Sequence, residues 1–89
     1  MNAIVTVVGK DRVGIIAAIC NKLADYNVNI LDISQSITGG YFHMMMIVDM
    51  DSTDAVFHQI AGELDALGNR LGVQIKLQSE EIFQAMHRI

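Results

Sequence analysis

The sequence predicts a two-layer α+β sandwich in which strands and helices follow the order βαββαβ, with a short helical tail. Three observations support this: apolar runs typical of strands, two stretches with helical i, i+3, i+4 spacing, and a Gly-Gly turn between two strands. The 89 residues leave room for one such core. We therefore expect one domain over residues 1–79 and a C-terminal helical tail over residues 80–89.

The first half of the chain supplies a strand, a helix and a second strand. Asn2–Val8 is β-branched on both faces, which predicts a central strand. Asp11 is expected to cap a helix from about Val13 to Tyr26. Val28–Ile37 alternates apolar with polar side chains, the pattern of an edge strand with one wet face. The inward stripe of the helix is predicted to be Ile16, Ile19, Cys20 and Leu23.

The second half begins with a hairpin and continues into a helix. Gly39 and Gly40 accept the positive φ angles of a tight turn, so Tyr41–Met50 should pair antiparallel with the strand before it. A second helix is predicted to start near Ser52 or Thr53 and to stop at Gly72. Its inward residues are predicted to be Val56, Ile60, Leu64, Leu67 and Leu71.

A fourth strand and the tail complete the order. Val73–Gln78 alternates as a strand, and Ser79 with Glu80 and Glu81 opens a short amphipathic helix to Ile89. Right-handed crossovers then give an antiparallel sheet of strand order 4-1-3-2 with both main helices on one face, the ferredoxin-like sandwich. The other face is left bare and would expose Met45 and Ile47, so a partner or the tail must cover it.

Composition excludes several classes of function. The net charge is −4, the pI is near 5.0 and the basic residues are scattered, so no nucleic-acid surface is predicted. A single cysteine, Cys20, allows no intrachain disulfide and suits a reducing compartment. The apolar run Ala3–Val8 is too short to span a bilayer, and no basic leader precedes it. We expect a cytoplasmic protein without a membrane segment.

The segment between the first strand and the first helix is the most informative for function. Its backbone amides converge at the positive end of a helix, which favours a carboxylate or another anion, and Gly14 keeps the backbone open to a ligand. The simpler alternative is a tight turn in which Asp11 only caps. Asn29, at the start of the second strand, offers both a donor and an acceptor, as the ammonium and carboxylate of an amino acid would require.

These residues resemble the ACT domains over about Ala3 to Gln78, most of all stand-alone ACT proteins and the modules of glycine-cleavage regulators and formyltetrahydrofolate deformylases. The motifs are Val7-x-Gly9-x-Asp11-Arg12-x-Gly14-Ile15, Leu23-Ala24, Asn29-Ile30 and Asp32-Ile33-Ser34-Gln35. The resemblance implies a non-enzymatic sensor without a cofactor that binds an amino acid or related metabolite between subunits. The implied ligand-binding residues are Asp11, Arg12, Val13, Gly14 and Ile15 of one subunit and Asn29 and Ile30 of its neighbour.

One departure from the family pattern lies within that loop. Many ACT domains have proline just before the second glycine, where this chain has Val13, so its loop keeps an extra N–H and is less rigid. No catalytic or DNA-binding module is attached, which implies action on a regulated protein in trans or as a bare sensor.

Alternative functions use the same topology. A ligand-free protein adaptor stays open, and an acylphosphatase-like hydrolase would use Arg12 but also an asparagine on the third strand, which is missing. His43, His58 and His87 lack metal-site spacing, so no metal is predicted. Cys20 is interpreted as a small core residue.

The count of apolar faces predicts assembly. A two-layer sandwich buries one sheet face, but the first and third strands are apolar on both, so we expect a homo-oligomer, most simply a dimer. The interface is predicted to be either the bare sheet faces or the paired edges of the first helix and second strand, with the tail sealing one of them.

Overall fold

The computed structural model describes residues 1–86 and has the predicted element order. The tail residues His87, Arg88 and Ile89, which the sequence places in the last helix, lie outside the described residues. The elements are β1 (Asn2–Lys10), α1 (Ile15–Asp25), β2 (Asn29–Thr38), β3 (Tyr41–Asp49), α2 (Phe57–Leu71), β4 (Val73–Ser79) and α3 (Glu80–Met86).

All strand pairs are antiparallel and the sheet order is β2-β3-β1-β4, so the predicted ferredoxin-like order 4-1-3-2 is confirmed. The register places Thr6 opposite Met45 on one side and opposite Lys76 on the other. A bulge interrupts the β2–β3 register between Ile30 and Asp32. The hairpin turn after β2 has positive φ at both Gly39 and Gly40, as the tight turn requires.

The core lies between the sheet and the two long helices. Alternate residues of β1, β3 and β4 point toward α1 and α2, because successive strand residues face opposite sides. Gly68 lets α2 approach β4 closely, since a Cβ there would lie 2.6 Å from the Val73 carbonyl oxygen. The largest fully buried side chains include Ile15, Ile19, Leu23, Met46, Ile60 and Leu64.

Both long helices begin later than the sequence predicts. α1 begins at Ile15, and its N-cap is Gly14 with no side-chain hydrogen bond, so the expected capping by Asp11 is wrong. α2 begins at Phe57, and Val56 is the exposed N-cap residue rather than an inward one. The Thr53 hydroxyl does not cap α2. It accepts a hydrogen bond from the Ala55 amide within the turn before the helix. The predicted stop of α2 at Gly72 is confirmed.

The tail helix forms and packs across one end of the sheet. Ser79 Oγ accepts a hydrogen bond from the Ile82 amide, and Gln78 Nε2 donates to Met86 Sδ. Ile4 on the nearby open face is buried, but Ile82 and Met86 stay more than half exposed within one subunit. α3 therefore covers a corner of the open face and leaves most of that face, including the predicted Met45, uncovered.

Candidate functional site

The loop between β1 and α1 comprises residues 11–14 and is open to solvent. Gly14 has a φ of 94°, a conformation that a residue with a side chain adopts only with strain. The Ala18 amide donates the first hydrogen bond of the helix, to the Gly14 carbonyl at 3.0 Å. The amides of residues 15–17 precede that bond and have no acceptor within the helix, so they provide donors for an anion at this terminus.

Two long-range hydrogen bonds hold this loop. The Asp11 amide donates to the Gly40 carbonyl of the hairpin turn at 3.0 Å. Arg12 Nη1 donates to the Leu71 carbonyl at 3.1 Å, so the guanidinium lies at the C-terminal end of α2 and complements the negative end of that helix. Arg12 thus anchors the loop to α2, a contact that spacing along the sequence gave no means of predicting.

The remaining loop residues divide into exposed and buried ones. The Val13 side chain is fully exposed at the tip of the loop, and Ile15 is buried in the core. Ile15 can therefore offer a ligand its main-chain amide but not its side chain. Of the five predicted loop residues, Asp11, Val13 and Gly14 are exposed. Arg12 is also exposed, but its guanidinium is hydrogen-bonded to α2.

The second predicted element, Asn29 and Ile30, begins β2. Asn29 is exposed and borders a cavity of about 400 Å³ whose other lining residues are Ala24, Asn27, Val28 and Ser52. Ile30 is half-buried against the core, so its side chain supports the strand.

Asn27 and Ser52 shape this cavity and were not among the predicted site residues. Asn27 adopts a left-handed conformation with φ 59°, and its Nδ2 donates to the Ser52 carbonyl at 3.0 Å. This bond joins the end of α1 to the loop between β3 and α2. An asparagine just before a strand is a known signal for such a backbone, because asparagine tolerates positive φ.

The two predicted halves lie at opposite ends of the sheet within one subunit. Asn29 pairs with Asp49, which in turn pairs with Asn2 at the start of β1. The loop follows Lys10 at the other end of β1. At about 3.3 Å per residue the ten residues of β2 span roughly 30 Å. One subunit therefore does not bring the two halves together.

Charges of opposite sign mark these two ends. Lys10, Arg12 and Arg70 lie at the loop end, where Asp11 is the acidic residue. The Asn29 end is acidic, and its carboxylates are Asp25, Asp49, Asp51 and Asp54. The two ends of the subunit along the strand direction therefore carry opposite charge, and the basic end is the one with the loop.

The Met1 amino group partly offsets the charge of the acidic end. It forms an ion pair with Asp51, and the hydrogen bond that it donates to that carboxylate raises the pKa of the amino group. The same hydrogen bond lowers the pKa of Asp51. Both groups are exposed, so the pair contributes little to stability.

The outer side of β2 and the adjacent side of α1 form an apolar strip. Strand β2 is one edge of the sheet, and Ile33 and Ile37 face the helix layer but remain exposed, Ile37 by 62%. On α1, Ile16 and Cys20 are half-buried beside the core. Cys20 thus occupies a partly open position and not the fully buried one expected of a core residue.

Two classes of site find no support in the described part of the chain. No group of three or more histidine, cysteine or carboxylate side chains among residues 1–86 could hold a metal ion. His43 lies on β3 and His58 on α2, and His87 falls outside the described residues. No helix within residues 1–86 combines the length and apolar composition needed to cross a membrane.

Comparisons with known proteins identify close relatives over the full chain. A UPF0237 protein of Bifidobacterium longum is 58% identical over 87 residues, which cover 98% of this chain and 97% of the relative. The solved structure of an ACT domain protein from Streptococcus pneumoniae has a TM-score of 0.82 and 45% identity, and the match covers 98% of each chain.

More distant structures share the fold alone. A formyltetrahydrofolate deformylase from Pseudomonas syringae matches at a TM-score of 0.80 and 20% identity, over 86% of this chain and 26% of that one. The regulatory subunit of aspartate kinase from Thermus thermophilus matches at 0.67 and 22%, over 86% and 50%. The family model described as ACT domain matches residues 2–78. The chain belongs to the ACT domain family.

Proposed function

We propose that this protein is a regulatory sensor that binds a free amino acid, or a related small zwitterion, between two copies of the chain. ACT domains are in general small-molecule-sensing regulatory domains, and this chain belongs to that family. The observation that carries the proposal is the placement of the two half-sites at opposite ends of a free edge strand. A complete site then requires a second subunit.

Antiparallel pairing of two β2 strands about a two-fold axis would join the half-sites. In that arrangement the start of β2 in one copy lies beside the end of β2 in the other, next to the loop of residues 11–14. The basic end of each subunit would also face the acidic end of its partner, so charge favours this pairing over a parallel one. The apolar strip of Ile16, Ile33 and Ile37 would be covered at the same time.

The joined pocket would offer complementary groups to a zwitterion. The helix-terminal amides of residues 15–17 suit a carboxylate, because they are donors at the positive end of α1. The side-chain oxygen of Asn29 and the acidic end around Asp25 and Asp54 suit an ammonium group. The 400 Å³ cavity at Asn29 has space for a side chain of modest size.

The wider role of the protein is proposed from a structural relative. A structure that shares this fold is the regulatory subunit of aspartate kinase, and this likeness supports a regulatory role for this chain toward a protein in trans. We propose that the protein has no catalytic function and that it acts in the cytoplasm. A ligand-free adaptor is the second candidate, favoured by the exposed apolar strip, which would suit a protein partner even with the pocket empty.

The decisive experiment is a thermal-shift screen of the twenty amino acids, followed by calorimetric titration of each hit. A ligand specific to the native state must raise the unfolding temperature, by mass action. Asn29→Ala and Gly14→Val should each weaken binding at least about tenfold, because each removes part of one half-site. Asn69→Ala, on the exposed side of α2, is the matched control and should bind normally.

Two outcomes would contradict the proposal. If no amino acid or related zwitterion shifts the unfolding temperature, the adaptor interpretation is favoured. If a ligand binds a monomer with undiminished affinity, the intersubunit pocket is wrong even though sensing is correct.

A further inference from the structure

The open face of the sheet contains a shallow depression of about 250 Å³ where β2, β3 and β1 run side by side. Thr6, Ser34, Ser36, His43 and Met45 line it, and the strand register places all five on the face turned away from the helices. The other lining residues alternate to the opposite face and contribute main-chain atoms. The side chains presented are thus three hydroxyls, one imidazole and one thioether.

These side chains are close enough to share one small ligand. Ser36 is directly opposite His43, and Met45 is directly opposite both Ser34 and Thr6. Residues directly opposite each other have Cβ atoms about 5 Å apart, and the diagonal neighbours are about 7 Å apart. Four groups that can donate hydrogen bonds therefore lie within about 8 Å of Met45, on either side of it.

Charged side chains of both signs flank the depression, and the chain as a whole carries −4. Lys76 lies opposite Thr6 on the same face, and Lys10 lies on that face toward the end of β1. Of the described carboxylates that share this face on the strands, Asp49 lies at the other end, and Asp32 lies opposite Ile47 and next to Ser34. The depression thus combines neutral donors with two lysines on its β1 and β4 side and one carboxylate, Asp32, at its β2 edge.

We infer that this depression is a second small-molecule site, which takes a phosphate group, free or as the monoester of a small metabolite. A phosphate presents three or four acceptor oxygens and close to two negative charges, which matches several donors and a lysine better than a carboxylate would. Its lining shares no residue with the proposed interface pocket. The inference therefore goes beyond the proposed function and does not depend on it.

The test is a titration of the full chain with inorganic phosphate, followed by ¹H–¹⁵N spectra at constant ionic strength. We expect saturable shifts at the amides of Thr6, Ser34, Ser36 and His43. Lys76→Gln should weaken the apparent affinity about tenfold, since a charged hydrogen bond is lost. Arg70→Gln, the same change of charge on α2, is the matched control and should leave the affinity unchanged. A parallel titration with glycerol phosphate shows whether the free ion or the monoester binds more tightly.

Several results would overturn the inference. Equal shifts with acetate, or equal weakening by Arg70→Gln, would indicate a general ionic effect. An absence of saturable shifts at the four amides would remove the site. A drop in sedimentation coefficient for Met45→Lys would show that a second copy covers this face instead. Because Gly14→Val leaves the depression intact, phosphate binding by that variant separates this inference from the amino-acid pocket.

Discussion

The helix-covered side of the sheet and the outer side of β2 differ in how completely they are packed. Under the helices, Ile19, Ile60 and Leu64 are fully buried and interlock with alternate residues of β1, β3 and β4. Along β2, Ile37 is mostly exposed, and the nearby loop tip carries a fully exposed Val13. The first side accounts for folding within one subunit, whereas the second is an apolar surface that one subunit does not use.

The largest expected effect tests the packed side. Leu64→Ala should lower the free energy of unfolding by about 2–5 kcal/mol, because the change removes buried methyl groups and leaves a cavity between α2 and the sheet. Chemical denaturation at fixed protein concentration measures the loss. Val56→Ala, at an exposed position of the same segment, should stay within about 0.5 kcal/mol of the unchanged protein. Similar losses for both variants would contradict the packing described for α2.

A pair of glycines in α2 sharpens the same point with changes of opposite sign. Gly68→Ala should destabilise by about 1–3 kcal/mol, because its Cβ would meet the Val73 carbonyl oxygen at 2.6 Å and the backbone must shift. Gly62→Ala meets nothing within 4 Å and should stabilise by about 0.5–1 kcal/mol through helix propensity. Thermal unfolding of both variants checks the contrast, and a stabilised Gly68→Ala would mean that α2 packs less closely than described.

The outer side of β2 should respond in assembly more than in folding. Ile37→Lys changes an exposed side chain, so the unfolding of the separated subunit should shift by no more than about 0.5 kcal/mol. Self-association should nevertheless weaken at least about tenfold, because a charge would enter the proposed interface. Sedimentation over a range of concentrations measures this, with Val56→Lys as the control. Equal behaviour of the two variants would place the interface elsewhere.

The sequence predicts the packed side well and the unpacked side poorly, for a physical reason. The alternation in β1, β3 and β4 reports burial against helices of the same chain, and Gly72 marks the end of α2 because little else can adopt its conformation. The alternation in β2 suggested one buried face, but Ile33 and Ile37 remain exposed within the subunit. Periodicity records which side chains are apolar and says nothing of whether the covering surface belongs to the same chain.

Helix starts and site residues show a second limit of sequence reasoning. Polar residues near a helix start each have several local uses. Thr53 serves a turn, Asp51 pairs with the Met1 amino group, and neither caps α2. Likewise, the loop and Asn29 were predicted as site residues from motif and resemblance, but the contacts of Arg12 with Leu71 and of Asn27 with Ser52 join segments far apart in sequence. Local patterns carry no information about such contacts.

The smallest expected effect concerns the acidic end, where the Met1 amino group pairs with Asp51. Because the pKa of Asp51 is lowered in the folded protein, its contribution to stability is present above the usual aspartate pKa of about 4 and is lost as the pH falls through the lowered value. The amino group has a raised pKa, so its contribution is present below the usual value of about 8 and is lost as the pH rises through the raised one. Asp51→Asn should therefore cause a small decrease in unfolding temperature near pH 6.

The pH dependence of that decrease is the test, since the pair is exposed and its effect is modest. The difference between the unchanged protein and Asp51→Asn should disappear as the pH rises above the amino group's pKa and again in strong acid. Asp54→Asn, in the same loop, controls for the general loss of a carboxylate and should give a difference that does not follow the titration of the amino group. High salt should reduce the Asp51 difference through screening. A difference for Asp51→Asn that stays constant across the pH range would contradict the ion-pair role. It would mean that the Asp51 carboxylate acts through its own turn, in which the Asp51 amide donates a hydrogen bond to Asp49.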